Sequence, residues 1–238
     1  MKKIVSLLLV LVMLFALAAC NKPDPDPKPE VDIHKKGEGV MTYAEYAAAA
    51  IDAEVVIEAF VQATQSWWDN KITVYLADKD GAYFAYEMAC SEADAAKLTA
   101  GTKIKVSGYK AEWAGEVEIV DATFEILDGK YIAPAKDLTA DFANVEKLLT
   151  YQNQLVQFRG IVIEGISYKN GTPGDDIYLD FSLNGVLHSF CIERYLTGPE
   201  TDVYKLVADL KAGDVVDVMG YLYWYYAPNT HVISITVK

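Results

Sequence analysis

Eight aromatic side chains carry the chemistry that this sequence groups together: Trp67 and Trp68, Trp113, Tyr168, and the run Tyr223, Trp224, Tyr225 and Tyr226. Gln65, Asp69, Asn70 and Glu112 accompany them. Flat rings beside amides and carboxylates can stack on an apolar or planar face and hydrogen-bond to the polar groups around it. Side chains alternate across a strand, so the four residues of 223–226 cannot all turn into one core.

Catalytic chemistry is harder to place. The chain has no G-x-S-x-G, no H-E-x-x-H and no glycine-rich phosphate loop. Beyond His34 its histidines are His188 and His231, both in strand-like segments and both expected at the surface. Asp78 and Asp80, and Asp175 and Asp176, fall in turns, where aspartate caps backbone N–H groups. Cys90 and Cys191 sit at equivalent places in two halves of the chain and read as buried thiols or as a disulfide between the halves. No cysteine–histidine spacing suits a metal. The expectation is a binding protein with no catalytic residues, no metal and no cofactor.

The elements that position these residues come in two copies. Residues 98–109 and 210–221 share the pattern L-x-A-G-x-x-(I/V)-x-V-x-G-Y, and a repeat of this kind governs architecture. Ahead of it each copy has an alternating strand. Val55, Ile57, Ala59 and Val61 face one way, as do Val156, Phe158, Gly160 and Val162, with Glu58 and Arg159 on the opposite face. A hairpin follows, turning at Asp80-Gly81 or Asn184-Gly185. Then comes a helix, with Ser91 and Asp94 marking its start in the first copy and Val203, Leu206, Val207 and Leu210 forming one stripe in the second. Gly101 and Gly213 are expected to end those helices as C′ residues. Strands near 102–109, 117–127, 214–221 and 232–237 complete the copies. Thr42 and Glu45 form a capping box for a helix over 43–50, and 142–149 predicts a weaker one.

Strand, strand, strand, helix, strand, strand in about 90 residues resembles the OB fold, the five-stranded Greek-key barrel with a helix between strands three and four. The chain thus reads as mainly β, with OB-like domains at 41–128 and 151–238 and a partly structured linker at 129–150. The resemblance implies a ligand face on strands two and three and on the loops joining strands 1–2 and 4–5. All four tryptophans fall in those loops. They bind a ligand or partner, pack the two domains together, or cap the barrels.

The N-terminus supplies an address. Lys2 and Lys3 precede an apolar stretch that is short for a membrane span. It closes on Leu17-Ala18-Ala19-Cys20, which resembles the lipobox of bacterial lipoproteins. That resemblance implies a signal peptide over 1–19, a lipid on Cys20 and an extracytoplasmic protein on the cell membrane. Four of the eight prolines then alternate at Pro23, Pro25, Pro27 and Pro29, so 20–40 reads as an extended stalk with His34 in solvent.

Charge narrows the ligand. Net charge is −9 over 41–130 and −4 over 151–238, which opposes nucleic acid. Lys103, Lys105 and Lys110 could still form a local basic strip. The expected ligand is a glycan or an envelope partner. The alternatives are single-stranded nucleic acid and a protein–protein assembly role.

Overall fold

The computed structural model describes residues 32–238. The leader, Cys20 and the proline run lie outside the described residues. Ile33–Lys238 form one compact unit.

The first sheet is a closed barrel in the order β1-β2-β3-β5-β4. Its strands are β1 (Glu54–Thr64), β2 (Lys71–Ala77), β3 (Ala82–Ala89), β4 (Thr102–Trp113) and β5 (Glu116–Lys130). β1 pairs antiparallel with both β2 and β4, and β3 meets β5 in parallel. This is the OB-like order, with helix α2 (Glu92–Ala95) between the third and fourth strands. Val55, Ile57, Ala59 and Val61 all face the core, as their alternation predicts. Helix α1 (Tyr43–Ala48) begins with the Thr42/Glu45 capping box. Lys110 Nζ donates to the carbonyls of Tyr46, Ala47 and Ala49 at its other end, where a cation suits the helix dipole.

The second sheet repeats these pairings. Its strands are β6 (Lys136–Asp137), β7 (Leu155–Tyr168), β8 (Ile177–Leu183), β9 (Val186–Ile192), β10 (Val215–Tyr221) and β11 (His231–Val237). β7 pairs with β8 and β10, β10 with β11, and β11 meets β9 in parallel. The short β6 joins β7 in parallel, a strand that the sequence does not announce. Helices α3 (Val145–Leu149) and α4 (Asp202–Ala208) complete the unit, with Tyr204, Val207 and Leu210 buried.

Three expectations need correction. β7 carries an extra residue at Arg159 and Gly160, where the register with β10 shifts. Gly160 is left-handed (φ 69°) and donates its N–H to Asp217 Oδ1 at 2.9 Å. A bulge reverses the alternation beyond it, so Ile161 and Ile163 face the core in place of Gly160 and Val162. Second, Gly101 and Gly213 are left-handed (φ 87° and 93°) but follow the helices at a distance. They donate to the first strands, to Val61 O at 2.7 Å and Ile163 O at 2.8 Å. Third, His34 and Lys36, expected within the stalk, pack on the first barrel. His34 packs edge-on against Phe60 and Tyr131, and Lys36 Nζ bonds Asp78 Oδ2 at 2.6 Å. Glu58, expected on the outer face, is thereby buried and paired with Lys103 at 2.8 Å.

The later glycine of the repeat has a steric cause. A Cβ on Gly108 would lie 2.7 Å from Val120 O, and one on Gly220 would lie 2.3 Å from His231 O. Both glycines sit at register shifts where the next strand crosses closely. Gly220→Ala is expected to lower stability by about 3 kcal/mol or more, because backbone must move. Gly165→Ala, with open space around its Cβ, is expected to be neutral or slightly stabilising. Urea unfolding of the two variants checks this.

Candidate ligand-binding cleft

The two sheets meet through aromatic side chains. Tyr75, Phe84 and Tyr221 form a buried cluster. Tyr75 and Tyr221 stack at 4.5 Å, and the Tyr75 hydroxyl bonds His231 Nδ1 at 2.6 Å. Burial lowers the His231 pKa to about 3, so its ring is neutral. His231 is therefore a junction residue, in contrast to the surface position expected from the sequence. The other histidine, His188, packs among Phe142, Phe181 and Phe190. Trp224 lies against Gly115, and its backbone N–H donates to Glu116 Oε2 at 2.8 Å. Cys90 and Cys191 are free and buried.

Beside this junction a cleft of about 300 Å³ opens on the β2–β3 face. Its aromatic walls are Trp68, Tyr86 and Tyr195, and its polar lining includes Gln65, Lys71 and Glu87. Three local devices set the rings. Asp69 and Asn70 are both left-handed and make a two-residue turn closed by reciprocal Trp68–Lys71 backbone bonds. That turn presents Trp68, 69 % exposed, while Trp67 turns inward and donates its indole N–H to Cys90 O at 2.9 Å. On β3 two residues, Tyr86 and Glu87, oppose Thr73. This bulge puts Glu87 at φ 45° and aims Tyr86 outward. Tyr195 follows β9 in a turn whose N–H groups of Tyr195 and Leu196 donate to the Glu193 carboxylate. Ser66 ties the walls together, donating its N–H to Tyr195 O at 2.7 Å and its hydroxyl at 3.2 Å.

The local field is not basic. Lys71 is held by Glu87 at 2.7 Å, which lowers the pKa of the Glu87 carboxyl. Lys103 and Lys110, two of the three lysines of the candidate basic strip, are buried and bound to Glu58 and to α1 carbonyls. Arg194 lies 5.3 Å from the Tyr195 ring and 3.6 Å from Asp175.

The eight sequence-derived aromatics thus divide. Trp68 lines the cleft. Trp67 and Tyr168 pack on the two cores, and Trp224 is buried in the second. Tyr223 stacks on His231 at 4.2 Å in the junction. Trp113, Tyr225 and Tyr226 form a separate exposed group. Tyr86 and Tyr195 escape sequence reasoning. Tyr86 shares an outward parity with Phe84, which was a usable signal; Tyr195 offers none. Among the described residues no group of His, Cys, Asp or Glu is arranged to hold a metal ion.

No family model matches the chain, and no curated protein does. Solved structures similar to it include a murine DNA-binding protein bound to double-stranded DNA, at 9% identity and TM-score 0.36, covering 76% of this chain and 94% of that one. The Ifi202 HINa domain in complex with double-stranded DNA is 12% identical at TM-score 0.35, covering 78% and 98%. A replication protein A heterotrimer bound to single-stranded DNA is 12% identical at TM-score 0.31, covering 81% and 51%. At scores this low the likeness adds nothing to what the strand pairings show.

Two carboxyls near the cleft and junction make stability depend on pH. Desolvation pushes Glu118 up to about 7, with the Glu87 carboxylate adding to it. Burial likewise pushes Glu193 up to about 7. Unfolded, both titrate near the ordinary glutamate value of about 4.3. On these two groups the folded chain holds protons that the unfolded chain has lost, so their contribution makes stability fall as pH rises from about 4.5 to about 7, against an opposite and smaller contribution from neutral His231 below about 6.5. Glu118→Gln is expected to flatten that fall by roughly 1–3 kcal/mol, the shift being discounted for screening by nearby water. Unfolding followed across this range checks it; an unchanged slope contradicts it.

Proposed function

We propose that the chain is a non-catalytic binding protein that holds a ligand with flat faces in the Trp68–Tyr86–Tyr195 cleft. The observation that carries this is the convergence of three exposed rings on the β2–β3 face, each held by its own turn or bulge. Large exposed aromatics grouped around a concavity mark an interaction site. The ligand class that the charge fits best is a neutral glycan. Its apolar face can lie on the rings, and Gln65 and Glu87 offer partners for its hydroxyls.

Single-stranded nucleic acid is the second reading. The same rings would stack bases, but the cleft has one lysine and it is already paired. On either reading residues 41–128 and 151–238 act as two OB-like domains joined in one body, since Tyr195 comes from the second sheet and Trp68 from the first.

The proposed address is the outer face of the bacterial cell membrane, through a lipid on Cys20. Leu17-Ala18-Ala19-Cys20 after a basic and apolar leader supports it. Two acyl chains would make the anchor stable, at about 0.8 kcal/mol per buried methylene.

Glycan and single-stranded oligonucleotide arrays test the ligand. Trp68→Ala or Tyr195→Ala is expected to weaken binding roughly tenfold, the loss of one anchoring ring, while Trp113→Ala leaves a short ligand unaffected. Glycan affinity should hold as salt rises, whereas phosphate-driven affinity falls steeply. Binding that survives loss of both rings would place the site elsewhere. Separately, Cys20→Ala is expected to abolish incorporation of a labelled fatty acid in cells making the full chain; persistent labelling would contradict the anchor.

A further inference from the structure

We propose that the junction of the two sheets is a proton-held latch: a hydrogen on Glu116 Oε1 keeps the sheets clasped, and its release lets them part and opens the cleft. The clasp closes on the tip of the β4–β5 hairpin. Gln152 Nε2 donates to Gly115 O at 2.8 Å and Asn153 Nδ2 to Val117 O at 3.2 Å, both from the segment that follows α3. From the loop between β10 and β11, the Tyr226 N–H donates to Ala114 O at 2.6 Å and the Trp224 N–H to Glu116 Oε2 at 2.8 Å. The bond from the Ser66 N–H to Tyr195 O is the corresponding tie at the cleft. The effect on a ligand rests on the cleft being the binding site, whereas the latch is tested without a ligand.

Two oxygens at the centre of the clasp need a hydrogen. Glu116 Oε1 and Asn153 Oδ1 are buried and lack a hydrogen-bond partner among the described residues. The Asn153 amide cannot resolve this by turning over, because its Nδ2 is committed to Val117 O. Its side chain lies within hydrogen-bonding reach of the Glu116 carboxyl. A hydrogen on Oε1 turns one orphan acceptor into a donor for the other. Ionisation would instead leave a buried charge beside an amide oxygen, and both penalties fall on the clasp.

Among the described residues no cation is set against the carboxyl. The titratable groups that bear on it are Glu118 on β5 itself, Tyr46 from α1, Tyr75 from β2 and Tyr223 from the loop after β10. Glu118 is a second acid, and burial raises the pKa of each phenol, so none of them supplies positive charge. Lys110 on β4 is spent on the carbonyls of α1, and His231 at the junction is neutral. Burial accordingly holds the Glu116 proton well above the ordinary carboxyl value. Once the sheets part, the carboxyl meets water and titrates at about 4.3. Between those two values parting releases a proton, so it becomes about tenfold easier with each unit of pH. The latch is tightest in acid and loosens as pH rises.

The test is amide hydrogen exchange of the protein and of Glu116→Gln across neutral pH. Glutamine keeps an acceptor for the Trp224 N–H and turns an N–H toward Asn153 Oδ1, yet it cannot titrate. Dividing the wild-type rate by the variant's at each pH removes the base catalysis common to both. That ratio is expected to climb about tenfold per unit of pH for the Trp224, Tyr226 and Ser66 amides, which bond across the junction, and to stay constant for the amides of β1 paired with β4. A ratio that does not change with pH overturns the latch. A ratio that climbs equally in β1 also overturns it, because the proton would then stabilise the whole fold and not the clasp. If Glu116→Gln does not fold, the contrast is read within the unaltered protein: its junction amides must gain on its β1 amides by about tenfold per unit of pH, and equal pH dependence overturns the proposal. The Glu116 carboxyl carbon, followed by its chemical shift in the folded protein, must titrate above about 4.3, and a carboxyl that ionises at the ordinary value contradicts the proton itself.

Discussion

A carboxyl sealed from water holds the two sheets in register. Glu116 is 0 % exposed at the tip of the first barrel's last hairpin. It accepts from the Trp224 N–H and from Gln152 Nε2, both outside that barrel. Among the described residues no lysine or arginine is bonded to it, and burial raises its pKa well above the ordinary carboxyl value. That direction favours the protonated acid, which can donate as well as accept, and Glu116 Oε1 and Asn153 Oδ1 are both buried with no other hydrogen-bond partner. Removing this group would leave the Trp224 N–H without its acceptor, at the cost of an unsatisfied buried donor. Around it Tyr75, Tyr221 and His231 close the junction, and everything proposed about ligand binding depends on that junction. Tyr195 and Trp68 would otherwise belong to separate surfaces.

Local physics made much of the architecture legible. Alternation located β1, the Asp80-Gly81 and Asn184-Gly185 turns located both hairpins, and Thr42 with Glu45 located α1. The doubled pattern anticipated the shared pairings because its glycine at 108 or 220 answers a close strand crossing. Its final tyrosines show how far a repeat can mislead. Tyr109 is exposed, while its counterpart Tyr221 is sealed in the junction.

What stayed hidden depends on one-residue shifts and on distant contacts. A bulge at Gly160 reverses which residues reach the core, and another at Tyr86 and Glu87 turns a ring into the cleft. Neither changes composition. The inward turn of Trp67 and the burial of Trp224 follow from partners at Cys90 and Gly115, far away in the chain. The packing of His34 needed Phe60 and Tyr131 to be brought together first. Loop aromatics announced an interaction surface, but the fold decided which of them face a ligand and which face the other sheet.

The central claim is that rings from both sheets converge on one ligand. Indole N–H resonances report on it directly when the protein is titrated with an oligosaccharide or oligonucleotide that binds. The Trp68 signal is expected to shift on binding, and those of Trp67, hydrogen-bonded to Cys90 O, and Trp224, buried against Gly115, to stay in place. Shifts confined to Trp67 or Trp224, with Trp68 unmoved, would contradict the account.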